Sequence, residues 1–231
     1  MTDDDTQKPI TRKDIHEKAI DDHLDRINHE FRRGFELLAK YPRSVSIFGS
    51  SMEPEGSEPY EQAYELAKRI VKETGYAVIC GGGPGVMEAA NRGAAEAGGP
   101  SIGLRINLAR ERAINQYETD GADFTYFFSR KVMLSFAAEA YIFMPGGFGT
   151  MDELWSILTL IQTNHIPRVP VILFGSDYWK PLASFIEKTM YDKYHTIDHP
   201  DMELYEITDD YDKVINMVKK APTSDWWRDI N

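Results

Sequence analysis

Cysteine is almost absent from this chain. Cys80 stands alone among 231 residues, so no intrachain disulfide framework exists and the chain suits a reducing compartment. Its place at the end of an apolar strand, before Gly81, makes it a small buried filler. Apolar runs are short: none approaches the roughly 18 residues needed to span a bilayer, so no membrane partner is expected. Basic residues are outnumbered, 26 Lys and Arg against 37 Asp and Glu, and the net charge of -11 opposes non-specific attraction to nucleic acid polymers or anionic membranes. The six histidines form no H-E-x-x-H and pair with no cysteine, so no metal site is expected, and His195 and His199 around Asp198 read as a solvent-exposed polar loop. The first residues, Met-Thr-Asp-Asp-Asp, lack the basic and apolar regions of a signal peptide, and a cytoplasmic location is the expectation.

What is present is a mixed, globular composition, 42% hydrophobic and 27% charged, with no Ser/Gly/Pro-rich linker between hydrophobic segments. One domain over 43–221 is expected, preceded by an N-terminal extension and helix at 1–42 and followed by a tail at 222–231. Residues 1–11 are polar and expected to be mobile. Ile20, Leu24, Ile27, Phe31, Phe35 and Leu38 then trace one face of a helix that packs on the body and stops at Pro42. Strands are expected at 44–48, 76–80, 101–104, 124–128, 140–144, 169–174 and 204–207. Helices are expected at 59–72, 86–97, 130–138, 150–163 and 178–190, with a last one capped by Asp209 and ending at Lys220. Nearly continuous apolar strands separated by helices predict an α/β fold, a doubly wound, mostly parallel Rossmann-like sheet with helices on both faces and ligand loops at its C-terminal edge.

That edge collects the glycines. Gly49-Ser50-Ser51, Gly81 to Gly85 and Gly146 to Thr150 each follow a strand, and the last two open helices, where free backbone N–H groups suit a phosphate. Gly147, Phe148, Gly149 and Thr150 are the expected anion cradle, in Pro145-Gly146-Gly147-Phe148-Gly149-Thr150-Met151-Asp152-Glu153. Gly81 to Val86 lacks the last glycine of G-x-G-x-x-G, and the next strand ends without an acidic residue, so a nicotinamide dinucleotide fits poorly. The phosphate-loop lysine of ATPases is also missing. Glu153 is read as lying in the first turn of its helix, held anionic by the macrodipole and placed to act on whatever the phosphate carries. Asp152, about 100° around the helix, points to solvent or caps. Arg130 is read as a rigid donor to phosphate or to Glu153, with Lys131 beside it. Pyridoxal chemistry would need a Schiff-base lysine, and nothing around Lys131 marks such a site, so no cofactor is expected.

The chain also resembles a known family over roughly Ser44 to Lys220. The marks are Gly81-Gly82-Gly83-Pro84-Gly85-Val86-Met87-Glu88-Ala89-Ala90-Asn91-Arg92-Gly93, Ser129-Arg130-Lys131-Val132-Met133 and the segment Pro145 to Glu153. They are similar to those of the Lonely guy family of cytokinin-activating nucleotide phosphoribohydrolases, whose bacterial members were often mislabelled lysine decarboxylases. The resemblance implies Arg130 and Glu153 as the catalytic pair. It implies a 5'-phosphate held by Gly146 to Thr150, and Gly82, Gly83, Glu88 and Asn91 near ribose and base, with Gly49, Ser50 and Lys131 completing the substrate site. It further implies at least a homodimer. Phe128 stands where plant-type members carry His, and this together with the extension at 1–42 matches the longer bacterial branch. The implied substrate is a purine nucleoside monophosphate, with cytokinin riboside monophosphate and AMP both open. A non-catalytic nucleotide-binding or sensing protein is the alternative. For the dimer, Leu154, Trp155, Ile157, Leu158 and Ile161 on one helix offer apolar surface on more than one face.

Overall fold

The structure, a computed structural model, describes residues 12–107 and 115–223. The expected mobility of 1–11 and nearly all of the tail at 222–231 lie outside the described residues. Seven strands, β1 (Ser44–Phe48), β2 (Ala77–Cys80), β3 (Ser101–Ile106), β4 (Asp120–Phe124), β5 (Ala140–Phe143), β6 (Val171–Phe174) and β7 (Glu206–Thr208), form one sheet. Every pairing is parallel and the order is β4-β3-β2-β1-β5-β6-β7. The chain builds outward from β1 to β4, then returns to the other side of β1 with β5. The connections on either side of that reversal diverge, which opens a crevice at the carboxyl ends of β1 and β5.

Both faces are covered, as a parallel sheet requires. On one side lie α2 (Glu58–Thr74), α3 (Val86–Glu96) and α7 (Tyr211–Lys220), whose Leu66, Ile70, Ala90, Ile215 and Val218 pack with Val45, Ile47 and Val78. On the other lie α1 (Arg12–Ala39), α4 (Phe127–Ser135), α5 (Phe148–Gln162) and α6 (Ser176–Phe185). They close over Ile79, Phe124, Met133, Phe143 and Trp179. Leu37 of α1 belongs to this same core.

Several expectations need correction. The fourth strand is not 124–128 but Asp120–Phe124, and Phe127 and Phe128 open α4 with 64% and 49% of their surface exposed. The aromatic run misled because an apolar stretch has no periodicity of its own. The break at Thr125 comes from Glu30 of α1, which is buried and accepts hydrogen bonds from Thr125 N (2.7 Å), Tyr126 N (3.4 Å) and Ser129 Oγ. The face of α1 also differs. Ile20, Leu24 and Phe35 are exposed, while Glu30, Gly34 and Leu37 are buried, because α1 meets the body along its C-terminal half. Gly34 permits that contact: a Cβ there would sit 2.4 Å from Met133 Sδ. The cap of α7 is Asp210, whose Oδ1 takes Asp212 N at 2.8 Å, and Asp209 instead accepts Ser176 N at the start of α6. The helix expected at 178–190 is α6 continued by a π-helical turn, Ile186–Tyr191. Of the α5 side chains offered for a second apolar face, Leu154, Ile157, Leu158 and Ile161 are buried within one chain and Trp155 is half-buried.

Glu30 thus ends a strand and starts the helix that carries Arg130. Burial pushes its carboxyl up, but the hydrogen bonds from Ser129, Thr125 and Tyr126 outweigh this and hold it below the usual range. Glu30→Ala leaves Thr125 N and Tyr126 N without this acceptor, while Ser129 Oγ can turn to Tyr126 O at 2.9 Å, and is expected to cost about 2 kcal/mol, read as a lower urea midpoint at pH 7. The cost should shrink as pH falls through the depressed carboxyl pKa, because the wild type then loses the same bonds. An unchanged midpoint at pH 7 would show that α1 merely rests on the body.

Candidate active site

Three loops meet in the crevice and are tied backbone to backbone. Ser50 N donates to Pro145 O and Val86 N donates to Ser50 O, both at 3.0 Å. Gly146 must be a glycine here, since a Cβ would fall 2.1 Å from Thr150 Oγ1 and 3.0 Å from Ser50 N. Above the loops lies a cavity of about 910 Å³ lined by Gly49, Ser50, Gly82, Gly83, Gly147, Phe148, Gly149 and Thr150, with Arg130, Lys131 and Glu153. The first turn of α5 reaches it with no side chain capping its N–H groups, so those donors and the positive end of the helix face a shared space. Nothing lies within 4 Å of where a Cβ would stand on Gly147 or Gly149, which keeps the backbone open to a ligand. A phosphate fits this chemistry.

Glu153 is 9% exposed, and its Oε2 is buried without a hydrogen-bond partner. It is the sixth residue of α5, in the second turn rather than the first, so the expected dipole stabilisation of its charge is lost. Burial pushes the carboxyl up to about 7, against the opposing pull of the Arg130 guanidinium. Glu153 is therefore not a fixed anion; it exchanges a proton near neutrality.

Arg130 enters from α4. Its Nε donates to Leu104 O at 2.7 Å and its Nη2 to Gly81 O at 3.4 Å, so two backbone carbonyls aim the fork. Burial draws its pKa down while Glu153 holds it up. No direct ion pair joins Arg130 to Glu153 among the described residues, and Nη1 donates to none of them. Gly81 makes the approach possible, because a Cβ there would stand 2.4 Å from Nη2. At the rim Lys131 Nζ lies 2.6 Å from Asp152 Oδ1, and both line the cavity, so Asp152 does not simply face away.

Three expected contacts fall outside the lining. Asn91 is fully buried, donating to Ser101 Oγ (2.8 Å) while its Oδ1 accepts Asn115 Nδ2 (2.9 Å) and Cys80 Sγ (2.8 Å), so it holds β2 and β3 together from beneath. Glu88 sits on α3 within electrostatic range of the Tyr60 phenol. Gly146 supports the cradle from below. Cys80 is fully buried and its thiol is pushed up to about 12 by that burial. His195 and His199 are exposed.

The cavity also holds residues the motifs did not mark, Met52, Arg105, Asn107, Asp123 and Phe127, together with Met87 from within the marked glycine segment and Phe128 beside Arg130. Arg105 and Asp123 stand on β3 and β4; placing β4 correctly would have brought Asp123 to the ligand edge, where Arg105 already followed the expected strand at 101–104. Among the described residues no group of three or more His, Cys, Asp or Glu could hold a metal ion, and no helix is long and apolar enough to cross a membrane.

The fold and the site define a doubly wound α/β protein that presents an uncapped helix N-terminus beside a buried carboxyl raised toward neutrality. Residues 87–218 match the family model described as "Possible lysine decarboxylase". The chain is 31% identical over 163 residues to a cytokinin riboside 5'-monophosphate phosphoribohydrolase of Arabidopsis thaliana, covering 67% of this chain and 71% of the relative. It is 26% identical over 148 residues to the enzyme of that name from Rhodococcoides fascians, covering 63% and 75%. The chain belongs to the Lonely guy family. In fold it matches a molybdenum cofactor carrier protein from Chlamydomonas reinhardtii, with a TM-score of 0.56, 20% identity and coverage of 78% and 97%. The decarboxylase description does not fit the residues. A Schiff-base lysine must lose its proton, whereas Lys131 is ion-paired at the cavity rim.

Glu153 makes a thermodynamic prediction. Its folded carboxyl lies near 7 against an ordinary 4.5, so the folded state loses stability as pH rises through that window. Above it the ionised carboxylate costs up to about 3 kcal/mol. Glu153→Gln should therefore be more stable than wild type in urea at pH 8, and much closer to it at pH 4.5. Equal midpoints at both pH values would place the carboxylate in a solvated environment.

Proposed function

We propose that the protein hydrolyses the N-glycosidic bond of a purine nucleoside 5'-monophosphate, releasing free base and ribose 5-phosphate. The observation that carries this reading is Glu153: a buried, unpartnered carboxyl beside Arg130, sharing one cavity with the open N-terminus of α5. A protein that only bound phosphate would gain nothing from it, since an ionised carboxylate near a phosphate opposes binding. The names of its relatives support the same chemistry.

In this reading Gly147 to Thr150 hold the phosphate, and that remote binding energy sets the sugar against Glu153. The bond from C1' to the base nitrogen breaks as positive charge spreads over the ribose ring. Glu153 in its ionised form stabilises that charge and takes a proton from the water whose hydroxyl bonds to C1', while the departing base nitrogen takes a proton from solvent and Glu153 later returns its own to solvent. A carboxyl near 7 suits this work at neutral pH better than an ordinary one. Arg130, aimed by two carbonyls, has Nη1 for the phosphate or a ribose oxygen. The physiological base, cytokinin or adenine, and a cytoplasmic setting belong to the same proposal.

Purified protein incubated with nucleoside monophosphates is expected to release base and ribose 5-phosphate, and adenosine to be a poor substrate. Glu153→Gln should lower turnover by about 10² or more with nucleotide binding largely kept. Equal turnover of adenosine and AMP would overturn the phosphate assignment, and near-native turnover in folded Glu153→Gln would remove this residue from the mechanism.

A homodimer is part of the proposal, now on different surface. The cavity rim exposes Met52, Phe127, Phe128 and Phe148, at 84%, 64%, 49% and 96%. Light scattering is expected to give at least twice the 26.4 kDa chain mass, and a monomer at micromolar concentration would exclude a stable dimer.

A further inference from the structure

One end of the cavity carries a charged assembly with no part in the chemistry so far. Arg105, on β3, meets Asp123 on β4 with Nε to Oδ1 at 2.7 Å and Nη2 to Oδ2 at 3.2 Å, a two-point fork. Its Nη1 donates to Glu118 Oε2. Glu118 is the most buried of the three, with only 5% of its side chain exposed, and its Oε1 has no partner. The backbone makes room for it: Cβ atoms on Gly82 and Gly103 would lie 2.5 Å and 2.3 Å from Oε1. Asp123 is 43% exposed at its side chain and lines the cavity with Arg105, whereas Glu118 lies behind them. The fork with Arg105 holds the Asp123 carboxyl below its usual range despite partial burial, so it is an anion whose free lone pairs face the ligand space.

The sheet order places this assembly along the ligand. The anion cradle stands at β5, and Arg130 reaches across to carbonyls after β2 and at the end of β3. Arg105 and Asp123 come next, on β3 and β4, with strands roughly 5 Å apart. A nucleotide whose phosphate is at α5 and whose sugar is at Glu153 and Arg130 therefore extends its base toward Asp123. A carboxylate only accepts hydrogen bonds, so it rewards an N–H on the base edge and repels an oxo group at the same position.

We propose that Asp123, braced by Arg105 and Glu118, is a specificity-determining residue that reads an exocyclic amino group on the nucleobase and rejects the oxo counterpart. This rests on the phosphoribohydrolase reading for where the sugar sits. Glu118 is a positioning residue: through Arg105 it fixes the direction in which the Asp123 carboxylate faces.

AMP and inosine monophosphate form the test pair: the 6-amino donor of AMP becomes a 6-oxo acceptor, and N1, an acceptor in AMP, becomes a donor, so the preference reads whether Asp123 faces position 6. Wild type is expected to prefer AMP by about 10-fold or more in kcat/KM. In Asp123→Asn the amide oxygen keeps one bond of the Arg105 fork, the other is lost, and a donor replaces one of the two acceptor oxygens at the cavity wall. AMP should then lose about 10-fold while inosine monophosphate stays within about 3-fold of its wild-type value or improves. Retained inosine monophosphate turnover doubles as the check on folding. An equal fall for both nucleotides, or no change in their ratio, would overturn the proposal, as would wild type that does not discriminate. Equilibrium dialysis of the two nucleotides against wild type and Asp123→Asn reads the same preference without turnover. If no base is released from either, the hydrolase reading fails and the dialysis ratio still decides the role of Asp123.

Discussion

The site depends on backbone approaching backbone at the reversal of the sheet. Ser50 N on Pro145 O and Val86 N on Ser50 O tie the loops after β1, β2 and β5 into one floor. Such bonds bring the loops so close that Gly49 must lack a side chain where Val86 packs and Gly85 where the Ser50 and Ser51 backbone passes. With the floor fixed, the first turn of α5 is aimed at the cavity rather than into the core, and Glu153 follows one turn behind it, largely buried in the cavity wall. The open helix start and the perturbed carboxyl are thus two products of one packing arrangement.

The other half of the site is held from the opposite direction. Glu30 on α1 terminates β4 and sets the start of α4, so a helix remote from the glycine loops decides where Arg130 stands. Leu104 O and Gly81 O then orient the guanidinium. Rotation of that group is restricted before any ligand arrives, which lowers the entropy lost on binding. The paired carboxylate needs no direct ion pair for electrostatic coupling, because the low local dielectric carries the interaction across the gap.

Much of this was legible in the residues, for identifiable reasons. Helix starts with glycines after apolar strands are local signals, and the parallel sheet with its ligand edge followed from their alternation. Arg130, Glu153 and Gly147 to Thr150 line the cavity because strand ends in such a sheet converge there. What failed was long-range. Glu30 cutting the aromatic run at Thr125 involves contacts 95 residues apart, and no local pattern reveals it. Mistaking β4 for 124–128 then hid Asp123 from view. Asn91 sat inside a marked segment yet faces inward, since a motif conserves no direction of its own. The state of Glu153 was misjudged for a different reason: one turn of helix separates a position stabilised by free N–H groups from one governed by desolvation.

The outer position of β4 has a consequence for the behaviour of the chain in concentrated solution. An edge strand offers unpaired N–H and C=O groups to any neighbouring molecule, and a sheet of seven parallel strands presents a long template for such growth. β4 is short and reads Asp-Gly-Ala-Asp-Phe, so a strand added alongside it would meet two carboxylates and a glycine. Asp120 is further engaged by Lys40 and Tyr41, which occupy part of that margin. The strand that supplies a cavity residue therefore also sets carboxylates along the margin of the sheet, a feature that disfavours addition of a further strand there.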